Sequence, residues 1–265
     1  MSDPRPRRPR LDPLDVLAHG VVGLRSRPLR AALSALGIAI GIATMVVVVG
    51  IPASSQQALD RELSALGTNL LRAQATMDER TNALPPVPEQ ADAMVERIGP
   101  VTQASAAANT HAQVRRTDKI PPEQSSGLTV LAVRPDLLRL LDAELVAGTP
   151  ITRENEGLPV TVLGATAASR LGITSLPPGQ PAPKVWINNR WFTVVGILAA
   201  TPLDPEVERS VLVGWEAART WLGFDGHPTV IYARAVEEHL ESVRDVLPAT
   251  VYPENPARIK ASRPS

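Results

Sequence analysis

Residues 31–51 form a run of twenty-one residues without a charged side chain, placed after an arginine-rich N-terminus and ahead of some two hundred residues that read as an ordinary folded domain. At about 1.5 Å rise per residue a helix of this length spans roughly 31 Å, matching the roughly 30 Å hydrocarbon core of a bilayer. The run therefore predicts one transmembrane helix. Two rival readings each meet a conflict. A secretory signal peptide has a shorter apolar stretch and a small-residue cleavage site, whereas about thirty residues precede this run and its Ile51-Pro52-Ala53 exit is a poor match. A core helix of a soluble protein carries a polar stripe, and the only polar side chains within the run are Ser34 and Thr44.

The flanks set the orientation, because cytoplasmic segments beside a membrane helix carry excess Lys and Arg. Arg5, Arg7, Arg8, Arg10, Arg25, Arg27 and Arg30 precede the run against only Asp3, Asp12 and Asp15, while the next charges after it are the mixed set Asp60, Arg61 and Glu62. This predicts a single-pass protein of the cell membrane, with a cytoplasmic N-terminus and its bulk outside the cytoplasm. Residues 1–10 alternate proline and arginine and read as a disordered basic tail near anionic lipid. Leu14, Leu17, Val21 and Leu24 then recur on one face of a short helix. That helix either lies on the membrane surface or a partner, or simply leads into the span.

Within the run, Ser34, Gly37, Gly41 and Thr44 fall inside an arc of about 80° at 100° per residue, a seam of small residues where another helix can pack. Such pairs of glycines are common in membrane helices, so lipid-facing chance is the competing reading. Beyond Pro52, Ser54 and Gln57 have capping-box spacing, and Leu59, Leu63 and Leu66 share a face before Gly67. This predicts a short amphipathic helix leading into a first strand at 69–75.

In the remainder, short runs rich in β-branched or aromatic residues at 129–133, 160–163, 184–187, 191–197, 210–213 and 229–234 are strand candidates. Asn188-Asn189 suits a tight hairpin between two of them. Helical patterns occupy 88–98, 135–141, 165–171, 215–222 and 236–246. The mixture predicts an α+β (mixed α/β) domain. The segments 77–88 and 117–126 read as exposed loops, either plain surface loops, the leading reading, or the best places for partner contact, and 176–183, with four prolines, as a stiff connector.

Several of these segments, in this order, are familiar. The stretch Arg27-Pro28-Leu29-Arg30 through Gly41, followed by Leu66-Gly67-Thr68-Asn69-Leu70-Leu71, resembles the start of the MacB/FtsX-like ABC-transporter permeases. Downstream, Leu131-Ala132-Val133-Arg134-Pro135-Asp136, the segment 160–172 and Trp191-Phe192-Thr193-Val194-Val195-Gly196-Ile197-Leu198 are similar to successive pieces of that family's core domain. Leu145-Val146-Ala147-Gly148 resembles another, with Thr149 in place of the usual arginine, and Pro253-Glu254-Asn255-Pro256 and Ser262-Arg263-Pro264-Ser265 resemble the exit. The resemblance implies a cytoplasmic basic tail and amphipathic helix at 1–28, a transmembrane helix at 29–51, and a MacB-like extracytoplasmic core domain at 52–265. In that family three more membrane helices follow the core domain. No second apolar run of spanning length occurs after Ile51, so the chain is expected to be a truncated or split permease.

The net charge is zero, which gives no reason to expect nucleic-acid binding, and the absence of cysteine excludes disulfides, thiolate metal sites and thiol nucleophiles. His19, His111, His227 and His239 share no close spacing, and no phosphate-binding loop of the Walker type is present. Neighbouring acids such as Glu154 and Glu156, or Glu237 and Glu238, read as solvated. No catalytic residue, metal site or cofactor is expected; any ATP hydrolysis belongs to a partner.

Two functions remain. The leading one, implied by the resemblance, is a permease component that pairs with a permease partner or a second copy and with a cytoplasmic ABC ATPase subunit, for export or extraction of a peptide, lipoprotein or antibiotic. The other is a single-pass anchored binding module without transport activity.

Overall fold

The computed structural model describes residues 29, 32–42, 44–45, 69–78, 83–124, 126–201 and 204–264. The chain divides into two compact units, Met1–Glu62 and Leu63–Ser265. In the first, the described residues are helical, and the side chains of Leu33, Leu36, Ile38, Ile40 and Ile42 stand 57–65% exposed. Among the described residues no helix is long and apolar enough to cross a membrane. The basic tail, the amphipathic helix over 11–24, the end of the expected span and the capping-box helix all lie outside the described residues.

The second unit is built on one sheet with eleven strands among the described residues. In chain order these are β1 (Leu70–Ala75), β2 (Val101–Asn109), β3 (Val114–Arg115), β4 (Thr129–Val133), β5 (Leu145–Gly148), β6 (Val160–Leu163), β7 (Lys184–Ile187), β8 (Arg190–Leu198), β9 (Ser210–Gly214), β10 (Val230–Ala235) and β11 (Ile259–Ser262). The helices are α1 (Ala91–Val95), α2 (Leu137–Leu140), α3 (Ala165–Leu171), α4 (Pro205–Glu208), α5 (Trp215–Leu222) and α6 (Leu240–Val251). The order across the sheet is β11-β1-β10-β2-β4-β9-β6-β8-β7-β3, with β5 added to β8. Pairing is antiparallel except for β4 with β9 and β6 with β8.

Covalent reach shows that this sheet curls. Laid flat, the six steps from β2 to β3 would separate those strands by roughly 29 Å at about 4.8 Å per step. The five residues from Asn109 to Val114 span at most about 18 Å. The β3 end therefore turns back toward the strand it follows in sequence. Two hydrogen bonds mark the return: Thr110 N–H donates to the Val130 carbonyl at 3.1 Å, and Ser126 Oγ to the Val114 carbonyl at 2.8 Å.

Strand alternation divides the apolar side chains between two cores. Leu71, Ala73 and Ala75 of β1 join Ala91 and Val95 of α1 and Leu240, Val243, Leu247 and Val251 of α6. On the opposite face, Leu70, Leu131, Val133 and Tyr232 join Leu137, Leu138, Leu140 and Leu141. β2 contributes to both cores, through Ala104, Ala106 and Ala108 on one side and Ala107 on the other. Alanine is a weak strand former, and no strand is predicted at 101–109. Here the small side chains let α1 and α2 approach β2, and packing on both faces outweighs propensity.

The predicted strands at 129–133, 160–163 and 184–187 have their expected bounds, as do the helices at 165–171 and 215–222. Asn188 and Asn189 take the positive φ values of 42° and 68° that the hairpin requires. α6 runs to Val251 rather than ending at 246, through Pro248. Leu247 and Val251 are buried, which compensates for the amide hydrogen that Pro248 lacks. The loop at 77–88 is partly interior, since Val87 is 2% exposed. Gly214 ends β9 where a Cβ would stand 2.1 Å from the Glu156 carbonyl oxygen, a separation that only glycine permits.

Candidate functional site

Ser34, Gly37, Gly41 and Thr44 are all helical and exposed. Among the described residues, a Cβ built on Gly37 or Gly41 meets nothing within 4 Å. Thr44 Oγ1 donates to the Ile40 carbonyl at 2.7 Å. This bond satisfies the Thr44 hydroxyl within the helix.

In the core domain the charged side chains converge at two places that spacing does not reveal. At the first, Arg134 at the end of β4 donates from Nε to Asp92 of α1 at 3.2 Å and from Nη2 to the Glu89 carbonyl at 3.2 Å. Its guanidinium lies 4.3 Å from the ring centre of Trp215. Trp215 in turn donates from Nε1 to Glu89 Oε1 at 3.3 Å, an oxygen that also accepts from Arg219 at 2.8 Å. These contacts tie α1 and the segment before it to β4 and α5. Beside them opens a cleft of about 800 Å³, with Asp92, Glu96, Arg134, Asp136, Arg139 and Glu156 among its lining residues. Partial burial, and after it the charge of Glu216, hold the Glu156 carboxyl above the ordinary glutamate range. Arg134-Pro135 stands out in the sequence as a turn before a helix, but its partners lie 42 and 81 residues away.

The second place is buried. Tyr232 of β10 donates its hydroxyl to Asp204 Oδ2, and Asp204 Oδ1 caps α4 by accepting from the amides of Glu206 at 2.9 Å and Val207 at 3.2 Å. Arg72 of β1 pairs with Glu206. Burial, reinforced by the Asp204 charge, pushes the Tyr232 hydroxyl well above the usual tyrosine range, so Tyr232 serves as a proton donor to Asp204. Asp204-Pro205 is a helix-start signal that could have located α4, a cap followed by proline at the first helical position.

The histidines are not all scattered as their spacing suggests. His111 and His227 line one cavity of about 430 Å³, together with Asp225, Phe224 and Met77. His227 Nδ1 is fixed 2.9 Å from the Val87 carbonyl, and the His227 amide donates to Asp225 Oδ1 at 3.0 Å. His239 is exposed in the 3-10 turn before α6, and His19 lies outside the described residues. Among the described residues no three His, Asp or Glu side chains are grouped to hold a metal ion.

The chain is similar to longer proteins. The macrolide export ATP-binding/permease protein MacB of Nitrobacter winogradskyi is 28% identical over 234 residues, which is 85% of this chain and 35% of that protein. MacB of Rhodopirellula baltica is 28% identical over 195 residues, 69% of this chain and 27% of that protein. The chain thus spans about a third or less of the length of these curated relatives. Its fold is that of the periplasmic region of MacB from Actinobacillus actinomycetemcomitans, with a TM-score of 0.56 and 10% identity across 74% of this chain and 89% of that one. The extracellular domain of the noncanonic ABC-type transporter YknZ from Gram-positive bacteria gives a TM-score of 0.54 and 13% identity, covering 73% of this chain and all of that one. Residues 31–249 match the model of the MacB-like periplasmic core domain, and the chain belongs to that family.

Proposed function

We propose that this chain is a permease component of an ABC transporter, anchored in the cell membrane by residues 29–51 with its core domain outside the cytoplasm. In this reading it works with a separate cytoplasmic ATPase in the export or extraction of a peptide, lipoprotein or antibiotic. The observation that carries the reading is the extent of the family match: it begins at residue 31, so the charge-free run and the core domain belong to one family unit. The exposed apolar side chains at 32–42 support it, because a helix with such a surface is stable where lipid surrounds it. The Ser34–Gly37–Gly41–Thr44 stripe is the surface by which the helix packs on a partner permease helix or a second copy. The core domain transmits nucleotide-driven motion of the ATPase to the cargo.

The chain contains no cysteine, so a single substitution at the exposed Lys119, Lys119→Cys, reports topology without background. Labelling of intact cells by a membrane-impermeant maleimide, and recovery of an ABC ATPase with the full chain in mild detergent, are the expected results. Labelling only after lysis overturns the topology. Correct topology with no ATPase recovered overturns the transport role and leaves an anchored interaction module.

A further inference from the structure

A cavity of about 530 Å³ brings together Arg72, Arg170, Arg209, Asp204 and Glu206, which are supplied by β1, α3 and α4 with its flanks. Both carboxylates in its wall are already engaged. Glu206 is paired with Arg72, and Asp204, 2% exposed, accepts the Tyr232 hydroxyl and two backbone amides. Glu208 on the same helix accepts from Thr166 Oγ1 at 2.8 Å.

Two of the three arginines lack a counter-charge among the described residues. Among the described residues neither Arg170 nor Arg209 forms an ion pair, and Arg209 Nε donates to the Pro205 carbonyl at 3.1 Å. Arg170 Nη1 lies 3.9 Å from the point where a Cβ on Gly127 would stand. Arg72 Nε is buried without an acceptor. Three guanidiniums against two carboxylates leave the cavity with an excess of positive charge, carried by Arg170 and Arg209. Like charges sharing a partly enclosed space repel, and an oxyanion placed between them turns the repulsion into charge-assisted hydrogen bonds.

We propose that this cavity binds the phosphoryl group of a small ligand, held by Arg170 and Arg209 against the wall formed by the Arg72–Glu206 pair. Guanidinium forks match phosphoryl oxygens, and a tetrahedral group accepts from several directions at once, whereas a planar carboxylate presents two oxygens in one plane. The volume leaves room for the group to which the phosphoryl is attached. The site is part of the core domain alone and stands or falls independently of the transport reading.

The test uses the full chain in a phosphate-free detergent and buffer. Phosphorus NMR line widths are followed for inorganic phosphate, for glycerol 3-phosphate as a soluble monoester, and for glycerophosphoglycerol as the headgroup of an anionic lipid. The expected result is broadening that Arg170→Gln/Arg209→Gln weakens about tenfold or more, that Arg170→Lys/Arg209→Lys partly restores, and that Lys184→Gln leaves unchanged. Preference for the diester identifies a lipid headgroup and preference for the monoester a soluble phosphate ester; either upholds the site. Equal broadening in the native chain and Arg170→Gln/Arg209→Gln overturns it, as does displacement by acetate at the concentration of the phosphate ester. If the double variant does not fold, Arg170→Gln decides alone, because Arg170 is exposed and forms no ion pair among the described residues.

Discussion

The guanidinium of Arg134 lies 4.3 Å from the centre of the Trp215 ring while its Nε donates to Asp92 at 3.2 Å, so one side chain joins a helix, a strand end and a buried aromatic. Both members of the ion pair are mostly covered, at 23% and 17% side-chain exposure. A pair of this kind depends on geometry as well as charge, because the planar guanidinium stacks and donates in one plane.

Arg134→Ala is expected to lower stability by about 1–3 kcal/mol, since it leaves the Asp92 carboxylate and the Glu89 carbonyl short of a donor and uncovers Trp215. Arg134→Lys keeps the charge but not the stacked fork, and recovers only part of the loss. Denaturant unfolding of the two variants, followed by tryptophan fluorescence, checks the ordering. Equal stability of Lys and Arg at this position would mean that charge alone matters.

Tyr232→Phe removes the only hydroxyl that reaches the buried Asp204 Oδ2 among the described residues. Leaving a buried acceptor without its partner costs about 1–3 kcal/mol. Asp204→Ala should cost at least as much, because it removes the α4 cap as well and strands the Tyr232 hydroxyl. The double variant should cost less than the sum of the two, and strict additivity in thermal unfolding would show that the pair is not coupled.

Glu156 yields a pH dependence whose sign follows from its burial beside Glu216. Its pKa is raised in the folded chain, so the folded state holds this proton more tightly than the unfolded state. That contribution to stability is present below the ordinary carboxylate range and is lost as pH rises through the raised pKa. Glu156→Gln should therefore raise the melting temperature at about pH 7.5, with the advantage shrinking toward zero near about pH 3.5. A variant that is less stable at neutral pH, or whose benefit grows in acid, contradicts this.

Gly37→Ile/Gly41→Ile fills a stripe beside which no described residue lies within 4 Å of the added Cβ. The substitution should leave core-domain stability untouched and reduce self-association, or recovery of the partner permease, in membranes. Unchanged association would return the stripe to an incidental pattern on a lipid-facing helix.

Much of the core domain was legible where local signals and burial agree. At 129–133 and 160–163 the β-branched residues lie in strands bounded by turns, and Gly172 and Gly223 close α3 and α5 in the left-handed conformation that favours glycine. At 101–109 local propensity opposes the outcome, and pairing with β10 and β4 together with packing from α1 and α2 turns an alanine-rich segment into a nine-residue strand. The charged sites were illegible for a related reason. Arg72 and Glu206 are 134 residues apart, and Tyr232 and Asp204 belong to different elements, so no spacing rule connects them.

The sequence by itself determined the charge-free run, its basic flank, the absence of thiol chemistry and the family to which its ordered segments are similar, because these follow from composition and order along the chain. Only the tertiary structure decided that the sheet turns back on itself, that β2 is a strand, and that arginines from β1, α3 and the end of α4 share one cavity. Those outcomes depend on side chains meeting across long sequence separations. Burial and electrostatics act on proximity in space, which the linear order of residues does not contain.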